Sequence, residues 1–384
     1  MTGKFDPPAQ DDRAEKTTHV YIVGAGFSRY AGLPLQAAFT EALLEPRKDE
    51  SNSTKPLVEH LAKFISRAFD HSTSAKAWYW PNLEDVFTSI DLAANTGHHL
   101  GVDDPPSALR TTRRVLLTQM MCMLNQRYEQ AALQRDTDWI KLDRLFTALP
   151  LRRSAFISLN WDTVIERRLA QLCGVEFFNY GCGAVAARFP EADCVVQQRK
   201  PAKNVQRVRV VKIHGSVNWL YCDNCRRLYW FPPGAAREVA LQLLSETEAE
   251  NLGFDSSGCG KWRCSSCQTV PLTTRLATFS YLKALDFPMF ERSWHTAERL
   301  LRAAEKWVFI GYSLPAADFE FKHLLKRVQL SRAADPPQFL VITGGRHTKD
   351  TYMNYQRFFG RAIRHRTNFF SRGLSQRAIQ AAVR

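Results

Sequence analysis

The sequence predicts an α/β protein, a parallel sheet with helices on both faces, and three observations carry that prediction. Short runs of apolar residues, rich in β-branched and aromatic side chains, recur along the chain and each stops at Gly, Ser, Asn or His. Stretches with apolar residues at helical spacing lie between them. The chain has 384 residues, 45% of them hydrophobic, enough to bury one large core or two modest ones.

Residues 1–18, with Pro7, Pro8 and mixed charges, read as a disordered arm; residues 19–384 read as one domain. The first strand is the run 20–23, which stops at Gly24-Ala25-Gly26. Leu35, Phe39, Leu43 and Leu44 follow at helical spacing, so this turn is expected to open a helix and to let a phosphate approach the backbone. By itself it is equally compatible with a plain strand–loop–helix connection, because Ser28 stands where the usual dinucleotide fingerprint has its third glycine and the next glycine is Gly32. Residues from about 51 to 150 read as a helical insertion, with Leu57, Leu61, Phe64 and Ile65 marking one helix. Within it Asn82 is the expected N-cap of a helix that buries Leu83, Val86, Phe87 and Ile90. Glu84 and Asp85 are best read there as first-turn carboxylates that complement the helix dipole.

Further strands are expected at 155–158, 208–213, 307–310 and 339–343. The second runs into Asn160-Trp161-Asp162, the third into His214-Gly215-Ser216, the fourth into Gly311-Tyr312-Ser313 and the fifth into Gly344-Gly345. In an open parallel sheet this edge is the binding crevice. The architecture is therefore expected to be Rossmann-like, with a small metal-binding module at about 220–270. That module is marked by Cys222, Cys225, Cys264 and Cys267, two C-x-x-C knuckles able to surround Zn²⁺ with four thiolates. Four sulfurs leave no position for a catalytic water, so the zinc would be structural. Cys259 is a conceivable substitute ligand without the knuckle spacing.

The formal charge of +14 suits an anionic ligand or a nucleic-acid partner without choosing between them. Basic residues gather at Arg199, Lys200, Lys203, Arg207 and Arg209 and again between Arg357 and Arg377, although evenly spread charges are usually a solvated face. No apolar run is long enough to span a bilayer and the N-terminus has no apolar core, so a soluble, cytoplasmic protein without a membrane contact is expected.

Taken in order, these motifs resemble the sirtuin-like NAD-binding family, and within it the bacterial NAD-hydrolysing branch of antiphage defence. The resemblance is carried by Gly24-Ala25-Gly26-Phe27-Ser28 with Ala31-Gly32-Leu33-Pro34, by Ser158-Leu159-Asn160-Trp161-Asp162, by Lys212-Ile213-His214-Gly215-Ser216, and by Gly311-Tyr312-Ser313-Leu314-Pro315 with Asp318. It implies that Gly24, Ala25, Gly26 and Ser28 embrace the phosphates of NAD⁺, that Asn160 and Asp162 lie near the nicotinamide and its ribose, that His214 is the catalytic base, that Gly311 and Ser313 contact the adenosine side, and that Asp318 also belongs to the cofactor-binding set. The implied activity is NAD⁺ glycohydrolysis, depleting NAD⁺ as a defence effector. The alternatives are a protein deacylase or ADP-ribosyltransferase using the same site, or a non-catalytic module that senses NAD or ADP-ribose and binds nucleic acid. Two departures from deacylases stand out. Leu35-Gln36-Ala37 replaces their Asp-Phe-Arg, and Leu272-Thr273-Thr274-Arg275-Leu276-Ala277-Thr278 replaces the peptide-pairing strand that follows their zinc module. Restraint of such an activity is expected from outside the chain, through homo-oligomerisation or a partner such as a translocase ATPase or a nucleic-acid sensor.

Overall fold

A computed structural model describes residues 17–45, 54–70, 80–202, 205–276, 288–365 and 367–384. Most of the N-terminal arm, residues 51–53 and 71–79 of the helical insertion, and Lys203, Ala277, Thr278 and Arg366 lie outside the described residues.

The strands run in chain order as β1 (His19–Val23), β2 (Ser154–Ser158), β3 (Phe177–Asn179), β4 (Val185–Arg188), β5 (Gln197–Gln198), β6 (Arg207–Lys212), β7 (Trp219–Tyr221), β8 (Leu228–Trp230), β9 (Lys306–Ile310), β10 (Gln338–Ile342) and β11 (Phe369–Phe370). Seven of them form a parallel sheet in the order β11-β10-β9-β1-β2-β6-β3, and β5-β4-β8-β7 form a smaller sheet. The five strands expected from sequence are the five central ones. Edge strands β3 and β11, of 3 and 2 residues, are too short to leave a pattern.

Alternation along the strands divides the apolar side chains between two cores. Tyr21, Val23, Phe156, Val210, Val308 and Leu340 face one side, where they meet the helical insertion and the C-terminal helix Gln376–Val383. Val20, Ile22, Ile157, Val211, Phe309 and Val341 face the other, under helices Pro288–Ala303, Phe319–Ser331 and Thr348–Phe359. Helices therefore cover both faces, as a parallel sheet requires. The described part of the insertion is helical at Lys55–Phe69, Leu83–Thr96, Pro106–Gln134 and Thr137–Ala148. Asn82 occupies the N-cap of Leu83–Thr96, but its side chain makes no capping hydrogen bond.

The chain leaves β1 in two directions, to β2 and β6 on one side and later to β9 and β10 on the other. Register makes this switch point a meeting place. Val23 pairs with Ser158 and Ile310, Ser158 with Lys212, and Ile310 with Ile342, so five strands end on one line.

Candidate functional site

Beyond that line of strand ends lies a cavity of about 860 Å³, large enough for a dinucleotide. Gly24, Ala25, Gly26, Ser28, Asn160, Asp162, His214, Gly311, Ser313 and Asp318 all line it.

The turn after β1 differs from expectation. A helix starts at once, Ala25–Ser28 with Gly24 at its N-cap, and continues as the 3₁₀ turn Arg29–Ala31. Gly32, at φ +75°, ends it, because an L side chain there would be strained and its Cβ would lie 2.8 Å from that of Ala131. Phe39 and Leu43 belong to a separate later helix, Phe39–Leu44, which follows the 3₁₀ turn Gln36–Ala38, and Leu35 is the extended residue that precedes that turn. The packing of the chain itself already requires a glycine at position 26. Its amide donates to Gly311 O at 2.9 Å, and a Cβ on Gly26 would sit 2.9 Å from Gly311 Cα, while one on Gly311 would meet Phe27 N at 2.0 Å. The two glycines let the ends of β1 and β9 touch.

Three side chains form a directed chain of hydrogen bonds. Asn160 Nδ2 donates to Gly24 O at 2.9 Å and to Ser28 Oγ at 2.8 Å, and Ser28 Oγ donates to Asp162 Oδ2 at 2.6 Å. The Gly24 carbonyl can only accept, which fixes the Asn160 amide and turns Oδ1 into the group left for a ligand. Both amide hydrogens are already used, so Asn160 offers an acceptor alone and not the donor and acceptor expected from its residue type. Asp162 is likewise committed, since Oδ1 also accepts from Val164 N at 3.0 Å, at the start of helix Val164–Cys173. Its carboxylate orients Ser28, which orients Asn160.

His214, 9% exposed, donates from Nδ1 to Leu159 O at 3.1 Å. A carbonyl cannot donate, so the neutral ring carries its hydrogen on Nδ1 and a lone pair on Nε2, the form a general base needs. On the adenosine side expected from the resemblance, the Tyr312 hydroxyl donates to Asp318 Oδ2 at 3.1 Å, and the Ser313 carbonyl accepts from Asn354.

The cavity also holds groups not singled out from sequence. Arg29, paired with Asp138 at 3.6 Å, and Arg346 are the cationic arginines of the lining. Each directly follows a motif, Ser28 and Gly344-Gly345, and basic residues beside a glycine turn were the available signal. Glu84 lines the cavity and Asp85 does not, which separates two carboxylates that sequence had treated alike.

The four knuckle cysteines converge away from this cavity. Their sulfurs lie within 4.8 Å of one another, with Cys222–Cys267 and Cys225–Cys264 at 3.4 Å. Four thiolates around zinc at about 2.3 Å stand about 3.8 Å apart, between the shortest and longest separations here, so the set fits a tetrahedral site after small shifts. The two knuckles are built alike: Arg226 N bonds Cys222 O at 2.8 Å and Gln268 N bonds Cys264 O at 3.0 Å, with Arg226 and Gln268 both at φ +60°. Cys259 stays outside the cluster, buried, with Sγ donating to Asp255 O at 3.7 Å. The long gap between knuckles holds helices Ala236–Leu241 and Glu246–Asn251, which dock on helix Pro106–Gln134 through Thr118 to Ala240 O and Arg114 to Glu248. Among the described residues no helix is long and apolar enough to cross a membrane.

No protein-family model and no curated protein matches the chain. Among solved structures it is similar to a Sir2 enzyme studied for its mechanism and regulation, at 14% identity over 96% of this chain and 91% of that one, with a TM-score of 0.36. It is similar also to a mutant Sir2 homologue in complex with ADP-ribose (13% identity, 96% and 92% covered, TM-score 0.37) and to Sir2 with a p53 peptide and NAD⁺ (14% identity, 95% and 90% covered, TM-score 0.31).

Proposed function

We propose that the cavity binds NAD⁺ and hydrolyses its bond between nicotinamide and ribose. The observation that supports this most is the meeting, at one sheet edge, of a glycine turn, an Asn160 carbonyl oxygen presented by a fixed amide, and a His214 ring with its lone pair on Nε2. The dinucleotide lies across the switch point, its phosphates against the turn at Ala25 and Ser28 with Arg29 beside them. The nicotinamide ribose donates a hydroxyl hydrogen to Asn160 Oδ1.

As the glycosidic bond breaks, its electron pair goes to the pyridinium nitrogen, nicotinamide leaves neutral, and positive charge develops on the sugar. His214 Nε2 takes a proton from the attacking water, whose oxygen bonds to the anomeric carbon and gives ADP-ribose. Structural zinc in the four-cysteine cluster holds the knuckles together and takes no part in these steps. Water rather than an acyl-lysine is the favoured acceptor. The segment that replaces the peptide-pairing strand of deacylases lacks its sequence and pairs through Thr273 with β7, with Tyr221 N bonded to Thr273 O at 2.6 Å and Thr273 N to Tyr221 O at 2.9 Å. The cellular role implied by the sequence resemblance is NAD⁺ depletion in antiphage defence, held in check by oligomerisation or a partner protein.

The test is nicotinamide release from NAD⁺ by purified protein, with and without an acetylated peptide. Release independent of peptide is expected. Release only with peptide would select deacylation, and ADP-ribose binding without release would select a sensor.

A further inference from the structure

Past the ends of β2 and β6 the regular ladder stops, yet the two segments remain stitched together. Ile213 N donates to Ser158 O at 3.3 Å, His214 Nδ1 to Leu159 O at 3.1 Å, and Val217 N and Ser216 Oγ to Trp161 O at 2.9 and 3.3 Å. The last stitch differs in kind: the Lys212 ammonium donates to Asp162 O. Lys212 follows Val208 and Val210 in the row that faces the core, and its side chain is 0% exposed. An apolar residue would complete that row without dehydrating a cation.

Its counter-charge is Glu166, 3.6 Å away, equally buried, on the first turn of the helix that follows the 160–162 loop. Among the described residues no hydrogen bond of ordinary geometry reaches either Glu166 carboxylate oxygen; the buried Tyr180 hydroxyl, which accepts from Asn218 at 3.4 Å, is its neutral neighbour, and Lys212 is its counter-charge. Burial raises the Glu166 carboxyl above its usual range, and the Lys212 ammonium opposes that rise without cancelling it.

From this arrangement we infer that Lys212 and Glu166 are positioning residues: the ammonium braces the loop carrying Asn160 and Asp162 against the strand end carrying His214, and Glu166 balances its charge. The brace sets the separation of the two groups that act on the sugar. The balance matters because an isolated cation under the cavity opposes the positive charge that develops on the ribose. The catalytic consequence rests on the NAD⁺-cleaving reading of the cavity; the brace itself does not.

Lys212→Met alone leaves a buried carboxylate without its counter-charge, so the working variant is Lys212→Met/Glu166→Gln, which removes both charges at similar volume. Two measurements are made on the full chain. Amide hydrogen exchange at residues 159–162 is expected to be faster in the double variant than in the wild type. With NAD⁺, kcat is expected to fall about 10²-fold while KM stays near wild type, because the ligand still binds but the two groups no longer hold their separation. The single variant Glu166→Gln keeps the brace and leaves the cation unbalanced, so it is expected to lower kcat with wild-type exchange at 159–162. Unchanged exchange in a folded double variant overturns the brace whether or not the wild type cleaves NAD⁺. Faster exchange with unchanged kcat overturns the positioning role, and unchanged kcat in Glu166→Gln overturns the charge balance. A wild-type protein that releases no nicotinamide contradicts the NAD⁺-cleaving reading, and the exchange measurement still decides the brace.

Discussion

Asn160 shows how much of a side chain's role depends on neighbours far away in the chain. Its position at a strand end was legible because an apolar run stops there, but the commitment of both amide hydrogens to Gly24 and Ser28 was not, since those partners are more than a hundred residues away. The distinction is testable with a near-isosteric change. Asn160→Asp would set a carboxylate oxygen against the Gly24 carbonyl, leaving repulsion where a hydrogen bond had been. It is expected to be as inactive as Asn160→Ala and to lose about 1–3 kcal/mol of stability, measured by denaturant unfolding. Wild-type turnover in Asn160→Asp would show that the amide hydrogens do not orient the site. Lys212 was equally visible beside His214 in sequence, yet only the alternation of β6 reveals that it points into an apolar core.

Among the elements, the junction of β1 and β9 carries a correction. From sequence, Gly26→Val is expected to weaken NAD⁺ binding and spare the fold, on the view that Gly26 clears space for a phosphate. The space it clears is filled by Gly311, whose Cα and carbonyl oxygen lie 2.9 Å from the position a Cβ would take. Because the obstacle is backbone, Gly26→Val is expected to destabilise the protein by about 1–3 kcal/mol, with a lowered melting temperature even without ligand. An unchanged melting temperature combined with weaker NAD⁺ binding would restore the original view. The central strands were legible because both faces are buried and the runs are continuously apolar. The helix boundaries after β1 were not, because the positive φ of Gly32 divides what reads as one periodic stretch.

At the scale of the whole molecule, the zinc module joins the helical insertion to the rest of the chain. The knuckles were legible from cysteine spacing alone; the docking of the intervening helices on Pro106–Gln134 was not, because it depends on contacts such as Arg114 with Glu248. Removal of the metal is therefore expected to lower thermal stability, and Cys264→Ser to reduce zinc content and melting temperature together. Full stability without metal would contradict a structural role. Without metal, burial pushes the Cys222 thiol up to about 12, whereas Cys267, despite the upward push of burial, is drawn down to about 5 by hydrogen bonds with Thr269 and Asn224. Zinc requires thiolates, so binding at neutral pH displaces the proton that Cys222 retains. Zinc affinity should fall as pH falls, with proton release on binding detectable by titration in buffers of different ionisation enthalpy; a pH-independent affinity would contradict this.

The central claim is that Asn160 and His214, carried by the ends of two strands, act on one ribose of NAD⁺. The measurement that meets it most directly is a cycle of Asn160→Ala, His214→Ala and the double variant, read as the rate of nicotinamide release. Loss of the base is expected to cost about 10²–10⁴-fold. If the two residues work as a unit, the double variant will be scarcely slower than the slower single one. Losses that multiply, or a folded Asn160→Ala protein with the wild-type rate, would contradict the account.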